Sequence, residues 1–124
     1  MTPALTKREL DIMAVIWSLG TATVSDIVER LPDDLHYSTI LTLCRTLESK
    51  GHIAHTQDGR AFRYHALTQP EEAGDSALGR LVNKVFQGSR EMLIARLVAA
   101  EDITPEELRR LRRKLDERLQ ELDS

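Results

Sequence analysis

The chain has 124 residues, of which 41% are hydrophobic and 30% are charged, and its formal net charge at pH 7 is -3. This length fits one ordinary domain, or a small domain with an appended segment, and it excludes a large multidomain enzyme. The longest uncharged stretch, residues 12–25, contains Ser, Gly and Thr and is too short to span a membrane. The first nine residues lack the apolar block of a signal peptide, so we expect a cytoplasmic protein without membrane insertion.

Basic residues are unevenly distributed along the chain. Between His36 and His65 there are four Arg or Lys residues and two acidic ones, so this segment carries +2 and the rest carries -5. Phosphate binding depends mainly on Lys and Arg, and a locally basic segment is compatible with a nucleic-acid partner. Charge clusters are also common on ordinary solvated surfaces, so the charge pattern alone identifies no partner.

Two helices are predicted in the first part of the chain. Thr6 and Glu9 form a capping-box pattern, which predicts a first helix from about Thr6 to Leu19. Thr23 is a suitable N-cap for a second, shorter helix of roughly Val24 to Leu31.

A third helix is predicted from about Ser38 to Ser49. It follows the Pro-Asp-Asp interruption at residues 32–34, and Lys50 with Gly51 marks its end. Apolar residues recur at i, i+3, i+4 and i+7 in all three helices, which predicts that one stripe of each faces a common core. The three stripes are Leu10, Met13, Ala14 and Trp17; Val24, Ile27, Val28 and Leu31; and Ile40, Leu43, Cys44 and Leu47.

The period of the sequence then changes from helical to alternating. Two strands, Ile53 to Gln57 and Arg60 to Ala66, are predicted to form a hairpin around an Asp58-Gly59 tip. Three short helices followed by a hairpin is the order of a winged helix-turn-helix. In that fold the third helix enters the DNA major groove and the hairpin forms the wing. The fold class is therefore mainly α with a small β-hairpin wing.

The outward face of the third helix and the hairpin supply the candidate DNA contacts. Ser and Thr side chains can reach phosphates or base edges, Arg45 can form a fork onto guanine, and Leu41 can lie against a thymine methyl group. There are two alternatives. The third helix can be an ordinary amphipathic helix with a polar outside, and the hairpin arginines can be merely the charged edge of a strand. The candidate DNA-binding residues are Ser38, Thr39, Leu41, Thr42, Arg45, Thr46, Arg60 and Arg63.

The second half of the chain is predicted to be helical, which divides the protein into a winged-helix domain, 1–67, and a helical dimerisation domain, 68–124. Thr68 with Glu71, Ser89 and Thr104 supply the expected N-caps. These helices carry more apolar surface than the small N-terminal core needs, and a second copy is the simplest cover. The candidate dimerisation residues are Leu78, Leu81, Phe86, Leu93, Leu97, Leu108, Leu111 and Leu115.

An enzyme is disfavoured because the sequence contains no HExxH motif, glycine-rich phosphate loop or nucleophile elbow. The paired histidines His52 and His55 lie three apart on a predicted strand and would point to opposite faces. We expect no metal and no cofactor. A winged helix that binds another protein instead of DNA remains an alternative, since one fold serves both functions. A redox sensor based on Cys44 is a further alternative, although a cysteine on an apolar stripe is usually inert.

Residues spread over nearly the whole chain resemble the penicillinase-repressor (BlaI/MecI) family. The matching residues are Leu5-Thr6, Glu9, Ile12-Met13, Ile16-Trp17, Ser38-Thr39-Ile40, Thr42-Leu43, Leu47, Lys50-Gly51, Gly59-Arg60, Tyr64, Phe86-Gln87-Gly88-Ser89 and Thr104-Pro105-Glu106-Glu107-Leu108. The resemblance implies a cytoplasmic homodimeric repressor that binds palindromic operator DNA and controls β-lactam resistance or related genes.

The resemblance also implies a way of relieving repression. In that family a membrane sensor metallopeptidase signals proteolysis within the dimerisation helices, and the corresponding bond here is Arg96-Leu97. Better-known members have Asn-Phe at this place, so the sequence departs from them. It also has Thr46, beside Arg45, where the family often has Arg, which implies a different operator sequence.

Overall fold

The computed structural model describes residues 4–32 and 34–124, so Asp33 of the predicted Pro-Asp-Asp interruption lies outside the described residues. The chain forms two compact units, the first ending at Leu78 and the second comprising Gly79–Ser124. The division falls within a helix, α4 (Pro70–Lys84).

Helix α1 (Lys7–Leu19) begins at the predicted capping box. The Thr6 hydroxyl accepts a hydrogen bond from the Glu9 backbone N at 3.2 Å, and the Glu9 carboxylate accepts one from the Thr6 backbone N at 2.8 Å. Gly20 ends the helix with a φ of 86°, a conformation that side chains with a Cβ rarely adopt. The predicted bounds of this helix are confirmed to within one residue.

Helices α2 (Val24–Arg30) and α3 (Tyr37–Ser49) also match their predicted ranges to within one residue. Thr23 caps α2 through a second capping box, in which the Asp26 carboxylate accepts a hydrogen bond from the Thr23 backbone N at 2.9 Å. Their short connection makes α2 and α3 the helix-turn-helix of the fold.

Three antiparallel strands complete the first unit, in the order β1-β3-β2. They are β1 (Thr21–Ala22), β2 (Ile53–Asp58) and β3 (Ala61–Ala66). Asp58 pairs with Ala61, so the two-residue turn is Gly59-Arg60, and the predicted Asp58-Gly59 tip is wrong by one residue. Gly59 adopts a φ of 65°, which fits the first position of such a turn, while Asp58 still belongs to the ladder.

The core of the first unit lies between α1, α2, α3 and the sheet. It consists of Ile12, Met13, Ile16, Ala22, Val24, Ile27, Ile40, Cys44, Leu47, Ile53 and Tyr64. The predicted stripes of α2 and α3 are confirmed. The α1 stripe is half right, because Met13 is fully buried and Trp17 packs against the core, but its other two residues are not in the core. Leu10 is 40% exposed and Ala14 is exposed, whereas Ile12 and Ile16 are fully buried. The buried face of α1 begins at Glu9. Because this residue is charged, the spacing of apolar residues alone does not indicate that face.

The start of α4 also differs from the prediction. The helix begins at Pro70, and the Glu72 carboxylate accepts a hydrogen bond from the backbone N of Gln69 at 3.4 Å. Thr68 is buried, and its polar groups have other partners. Its hydroxyl lies 2.8 Å from Nδ1 of His52, and its carbonyl accepts a hydrogen bond from Trp17 Nε1 at 2.9 Å. Thr68 therefore joins α1 to the end of the hairpin instead of capping α4.

The second unit contains the end of α4, then α5 (Arg90–Val98) and α6 (Pro105–Asp123). The predicted N-caps Ser89 and Thr104 are confirmed, because their hydroxyls accept hydrogen bonds from the backbone N of Met92 and Glu107. Within residues 79–124, all of which are described, Val82 is the only buried residue.

The predicted dimerisation residues lie on surfaces that one copy leaves uncovered. Phe86 and Leu93 are half-buried. The other six are 37–59% exposed, and they are Leu78, Leu81, Leu97, Leu108, Leu111 and Leu115. Within residues 4–32 and 34–124, no helix combines the length and apolar character needed to cross a bilayer.

Candidate nucleic-acid interface

Helix α3 has one fully buried face and one exposed polar face. Ile40, Cys44 and Leu47 are completely inaccessible, and they fix the rotation of the helix about its axis. The opposite side is exposed at Ser38, Thr39, Thr42, Arg45 and Thr46. Leu41 is half-buried against the core, so only part of its side chain is available to a ligand. The structure thus brings the predicted residues of α3 together on one surface.

The two central threonines bond to their own helix. Thr42 Oγ1 donates to the carbonyl oxygen of Ser38 at 3.0 Å, and Thr46 Oγ1 donates to the carbonyl oxygen of Thr42 at 3.1 Å. This back-bonding is how Thr is accommodated in a helix interior. Since each hydroxyl hydrogen is engaged, the oxygen can only accept a further hydrogen bond. In this state the two side chains suit the amino groups of adenine or cytosine better than phosphate oxygens.

Arg45 lies in the middle of the exposed face. Within the part of the chain that the structure describes, its guanidinium makes no salt bridge and no hydrogen bond. A planar group with five donors and no internal acceptor is suited to bidentate recognition of guanine or phosphate. Arg45 is therefore the side chain of α3 with the greatest capacity for a new charged contact.

The N-terminus of α3 differs from those of α1 and α2. Its N-cap is His36, whose side chain makes no capping hydrogen bond, and Tyr37 in the first turn is 53% exposed. The first backbone N–H groups of a helix lack i−4 partners and carry the positive end of the helix dipole, although Thr39 N in this helix donates to the His36 carbonyl oxygen at 3.1 Å. This end of α3 can accept a phosphate next to the polar face.

The two hairpin arginines have different surroundings. Arg60 is exposed in the turn and makes no salt bridge within the described residues. Arg63 Nε donates to an Asp58 carboxylate oxygen at 3.0 Å, and its Nη1 lies 3.9 Å from an Asp26 carboxylate oxygen. Only Arg60 is immediately available to DNA, whereas Arg63 has to leave its carboxylate partners first.

The hairpin is tied to α3 by a pair that the sequence did not reveal. His55 Nδ1 lies 2.7 Å from a Glu48 carboxylate oxygen, and the imidazole stacks on Phe62 with 4.0 Å between the ring centroids. Glu48 belongs to α3, and the two ring residues belong to β2 and β3. The contact connects the wing to the α3 helix, so both elements approach a ligand as one surface.

A second unpredicted pair fixes the other end of α3. Lys50 Nζ lies 2.7 Å from Glu9 Oε1, and the Glu9 side chain is only 2% exposed. Burial raises the pKa of Glu9, but the hydrogen bonds from Lys50 and Thr6 outweigh it and hold the pKa below the ordinary value. Lys50, which marked the end of the third helix in the sequence, therefore links α3 to the start of α1.

Other polar and reactive groups do not form a site of their own. Burial raises the pKa of the Cys44 thiol to about 12, so the thiol is protonated at neutral pH and a redox role is disfavoured. His52 and His55 lie in separate environments, one buried beside Thr68 and one paired with Glu48. Among the described residues, no three His, Cys, Asp or Glu side chains are arranged to hold a metal ion.

A three-helix unit with a two-stranded wing and an exposed polar third helix defines a winged-helix DNA-binding regulator. The penicillinase repressor family model matches residues 5–117. The protein therefore belongs to the penicillinase repressor family.

Two relatives align over nearly their whole length. The methicillin resistance regulatory protein MecI of Staphylococcus aureus strain N315 is 28% identical over 119 residues, which is 94% of this chain and 97% of MecI. The penicillinase repressor of Bacillus licheniformis is 23% identical over 117 residues, which is 93% of this chain and 91% of that repressor. Both are similar in length as well as in sequence.

Solved structures agree with the winged-helix fold. The DNA-binding domain of the repressor BlaI, determined in solution, has 26% identity and a TM-score of 0.53, covering 58% of this chain and 90% of that one. A MarR family protein from Bacillus stearothermophilus has 21% identity and a TM-score of 0.51, covering 97% of this chain and 76% of that one. The second likeness shows the fold alone.

Proposed function

We propose that this protein acts in the cytoplasm as a homodimeric repressor that binds a palindromic operator and has no enzymatic activity. The observation that carries the proposal is the exposed polar face of α3, with Arg45 unpaired at its centre. Such a face presents hydrogen-bonding groups where a winged helix meets the major groove. The names of the relatives, methicillin resistance regulator and penicillinase repressor, point to genes of β-lactam resistance or a related function.

Each part of the surface has a distinct role in this proposal. Arg45 reads a guanine, and Thr42 and Thr46 accept hydrogen bonds from base amino groups. Ser38 and Thr39, at the start of α3, bind phosphate together with the backbone N–H groups of the first turn. The exposed edge of Leu41 lies against a thymine methyl, and Arg60 and Arg63 bind the DNA backbone from the wing.

The exposed apolar surface of the second unit supports the dimer of this proposal. The helices of residues 79–124 expose large leucines along α6 and bury only Val82 among these described residues. A second copy of the same chain covers such a stripe with matching leucines around a two-fold axis. A two-fold repressor reads two half-sites whose centres are separated by about 34–36 Å, or by a multiple of this distance.

Relief of repression by proteolysis is the regulatory part of the proposal. The Arg96-Leu97 bond lies in the last turn of α5, and both residues are exposed. A protease that acts there separates α6, with Leu108, Leu111 and Leu115, from the DNA-binding unit. The family resemblance implies a membrane sensor metallopeptidase as the source of the signal. Because the bond is helical, the end of α5 must unfold before a protease can cut it.

The test is footprinting of the purified protein on DNA from its own promoter and neighbouring genes at two salt concentrations. We expect a protected inverted repeat. Arg45→Ala should cost about 1–3 kcal/mol of binding free energy and relax the preference at one base pair of each half-site. Diffuse and strongly salt-sensitive binding, or no binding, would instead favour a winged helix that binds another protein.

A further inference from the structure

The Arg63 guanidinium is held on the wing by two carboxylates from different elements. Its Nε donates to Asp58 at 3.0 Å, its Nη1 lies 3.9 Å from Asp26, and the same nitrogen donates to the Thr21 hydroxyl at 3.4 Å. The Arg63 side chain is 38% exposed, so solvent and a ligand can both reach this group.

The two carboxylates differ in how easily a competing anion can displace them from Arg63. Asp26 is already committed to α2, because its Oδ2 accepts the hydrogen bond from the Thr23 backbone N at 2.9 Å. Its distance to Arg63 is also the longer of the two. Asp58 is 59% exposed at the end of β2, and within the described residues Arg63 is its only salt-bridge partner. Asp58 is therefore the partner that a competing anion can displace.

A DNA phosphate is such an anion. Carboxylate and phosphate both present oxygens that accept the same guanidinium donors, so they compete for Arg63. Exposed ion pairs are weak and exchange readily. The exchange therefore reduces affinity to a small but measurable extent.

We propose that Asp58 is an affinity-determining residue of the DNA interface, because it occupies Arg63 in the free protein and must release it to a DNA phosphate on binding. This inference rests on the proposed DNA-binding function. According to this inference, Arg60 is the wing cation that contacts DNA directly, whereas Arg63 stays paired with Asp58 until DNA binds. Since phosphates are common to all sequences, Asp58 weakens binding to operator and unrelated DNA alike.

The test is a double-mutant cycle with Asp58→Asn and Arg63→Gln, measured by binding to a duplex of the promoter region and to an unrelated duplex of equal length. We expect Asp58→Asn to raise affinity for both duplexes by about two- to fivefold. We expect Arg63→Gln to weaken binding to both and to reduce the salt slope by about 0.9. Asp58→Asn should then give no gain in the Arg63→Gln background.

A matched control isolates this effect from net charge. Glu29→Gln removes one negative charge from an exposed position of α2 and should change affinity much less than Asp58→Asn. A gain of equal size in both Arg63 backgrounds would mean that Asp58 only repels phosphate, and it would overturn the inference. No gain at all in the wild-type background would do the same. If the wild-type protein protects no operator, the proposed function fails; if it does and the cycle shows no coupling, only the role of Asp58 fails.

Discussion

The two units of the chain differ in how completely one copy buries its apolar residues. The first unit encloses a continuous core in which Ile12, Ile16, Ile27 and Ile40 are fully inaccessible. In the second unit, residues 79–124, which the structure describes in full, bury Val82 alone. The first unit therefore encloses its own core, whereas the second leaves most of its large apolar side chains exposed, as the proposed dimer interface requires.

The exposed apolar surface of the second unit is clearest on helix α6. Its leucines Leu108, Leu111, Leu115, Leu119 and Leu122 are 37–65% exposed, although they form one continuous stripe. The exposed ion pairs Arg109–Glu106 and Arg118–Glu121, on its polar surface, contribute only a few tenths of a kcal/mol each. In proteins most helical stability comes from packing of an amphipathic face, so we expect burial of the stripe to supply most of the stability of α6.

The largest effect is expected from a charge placed in this stripe. Leu115→Glu should give monomers, because a second copy would have to bury an unpaired carboxylate. Operator affinity should fall by about 100-fold or more, since the two half-sites are then bound independently. Sedimentation equilibrium and footprinting measure the two changes.

A control for Leu115→Glu lies on the same helix. Gln120→Glu adds one negative charge on the side of α6 opposite the stripe, and it should leave the dimer intact. If Leu115→Glu stayed dimeric in sedimentation, the interface would have to lie elsewhere.

A pair of truncations sharpens the contrast between the two units. Ile16→Ala should lower the free energy of unfolding of the first unit by about 2–5 kcal/mol, because it leaves a cavity in a closed core. Leu119→Ala should instead lower stability by an amount that depends on protein concentration, since Leu119 is 57% exposed in one copy. Urea unfolding at two protein concentrations distinguishes the two variants. If the loss of stability depended equally on protein concentration in both, the proposed difference between the two units would be contradicted.

Local signals predicted the helices well. Capping residues and apolar spacing depend on neighbours within one or two turns, so Thr6, Thr23, Ser89 and Thr104 marked their helices correctly. Strand β1 was missed because two residues are too short to show a period, and its pairing with β3 is non-local.

The candidate site was predictable in its helix and less so in its wing. The outward face of α3 follows directly from the buried stripe, and Arg45 is exposed as expected. Asp58 was placed in the turn instead of in β2, so its pairing with Arg63 was not predicted although only five residues separate them. The other partner, Asp26 of α2, is distant in sequence, so no local pattern indicated that contact. The same reason hid the ion pair of Glu9 with Lys50, 41 residues away.

The ion pair between Glu9 and Lys50 links the start of α1 to the end of α3. Its removal should give the smallest of the expected effects. Glu9→Gln keeps the volume and the capping box, since Gln also accepts the Thr6 N–H, but it removes the charge opposite Lys50. We expect a loss of about 1–3 kcal/mol in the free energy of unfolding. Asp11→Asn is the control, because Asp11 pairs with Arg8 at the surface at 3.7 Å and should contribute less than about 0.5 kcal/mol.

The pH dependence separates the Glu9 charge from simple packing. The pKa of Glu9 in the folded protein lies below its ordinary value, so the ionised carboxylate favours folding. This contribution is fully present above the ordinary pKa of a glutamate, about 4.3, and is lost as the pH falls through the lower folded pKa. The stability difference between wild type and Glu9→Gln should therefore be constant from pH 6 to 8 and shrink below about pH 4. A difference that stayed constant in acid would show that Glu9 acts through shape alone, and that its charge does not hold α3 against α1.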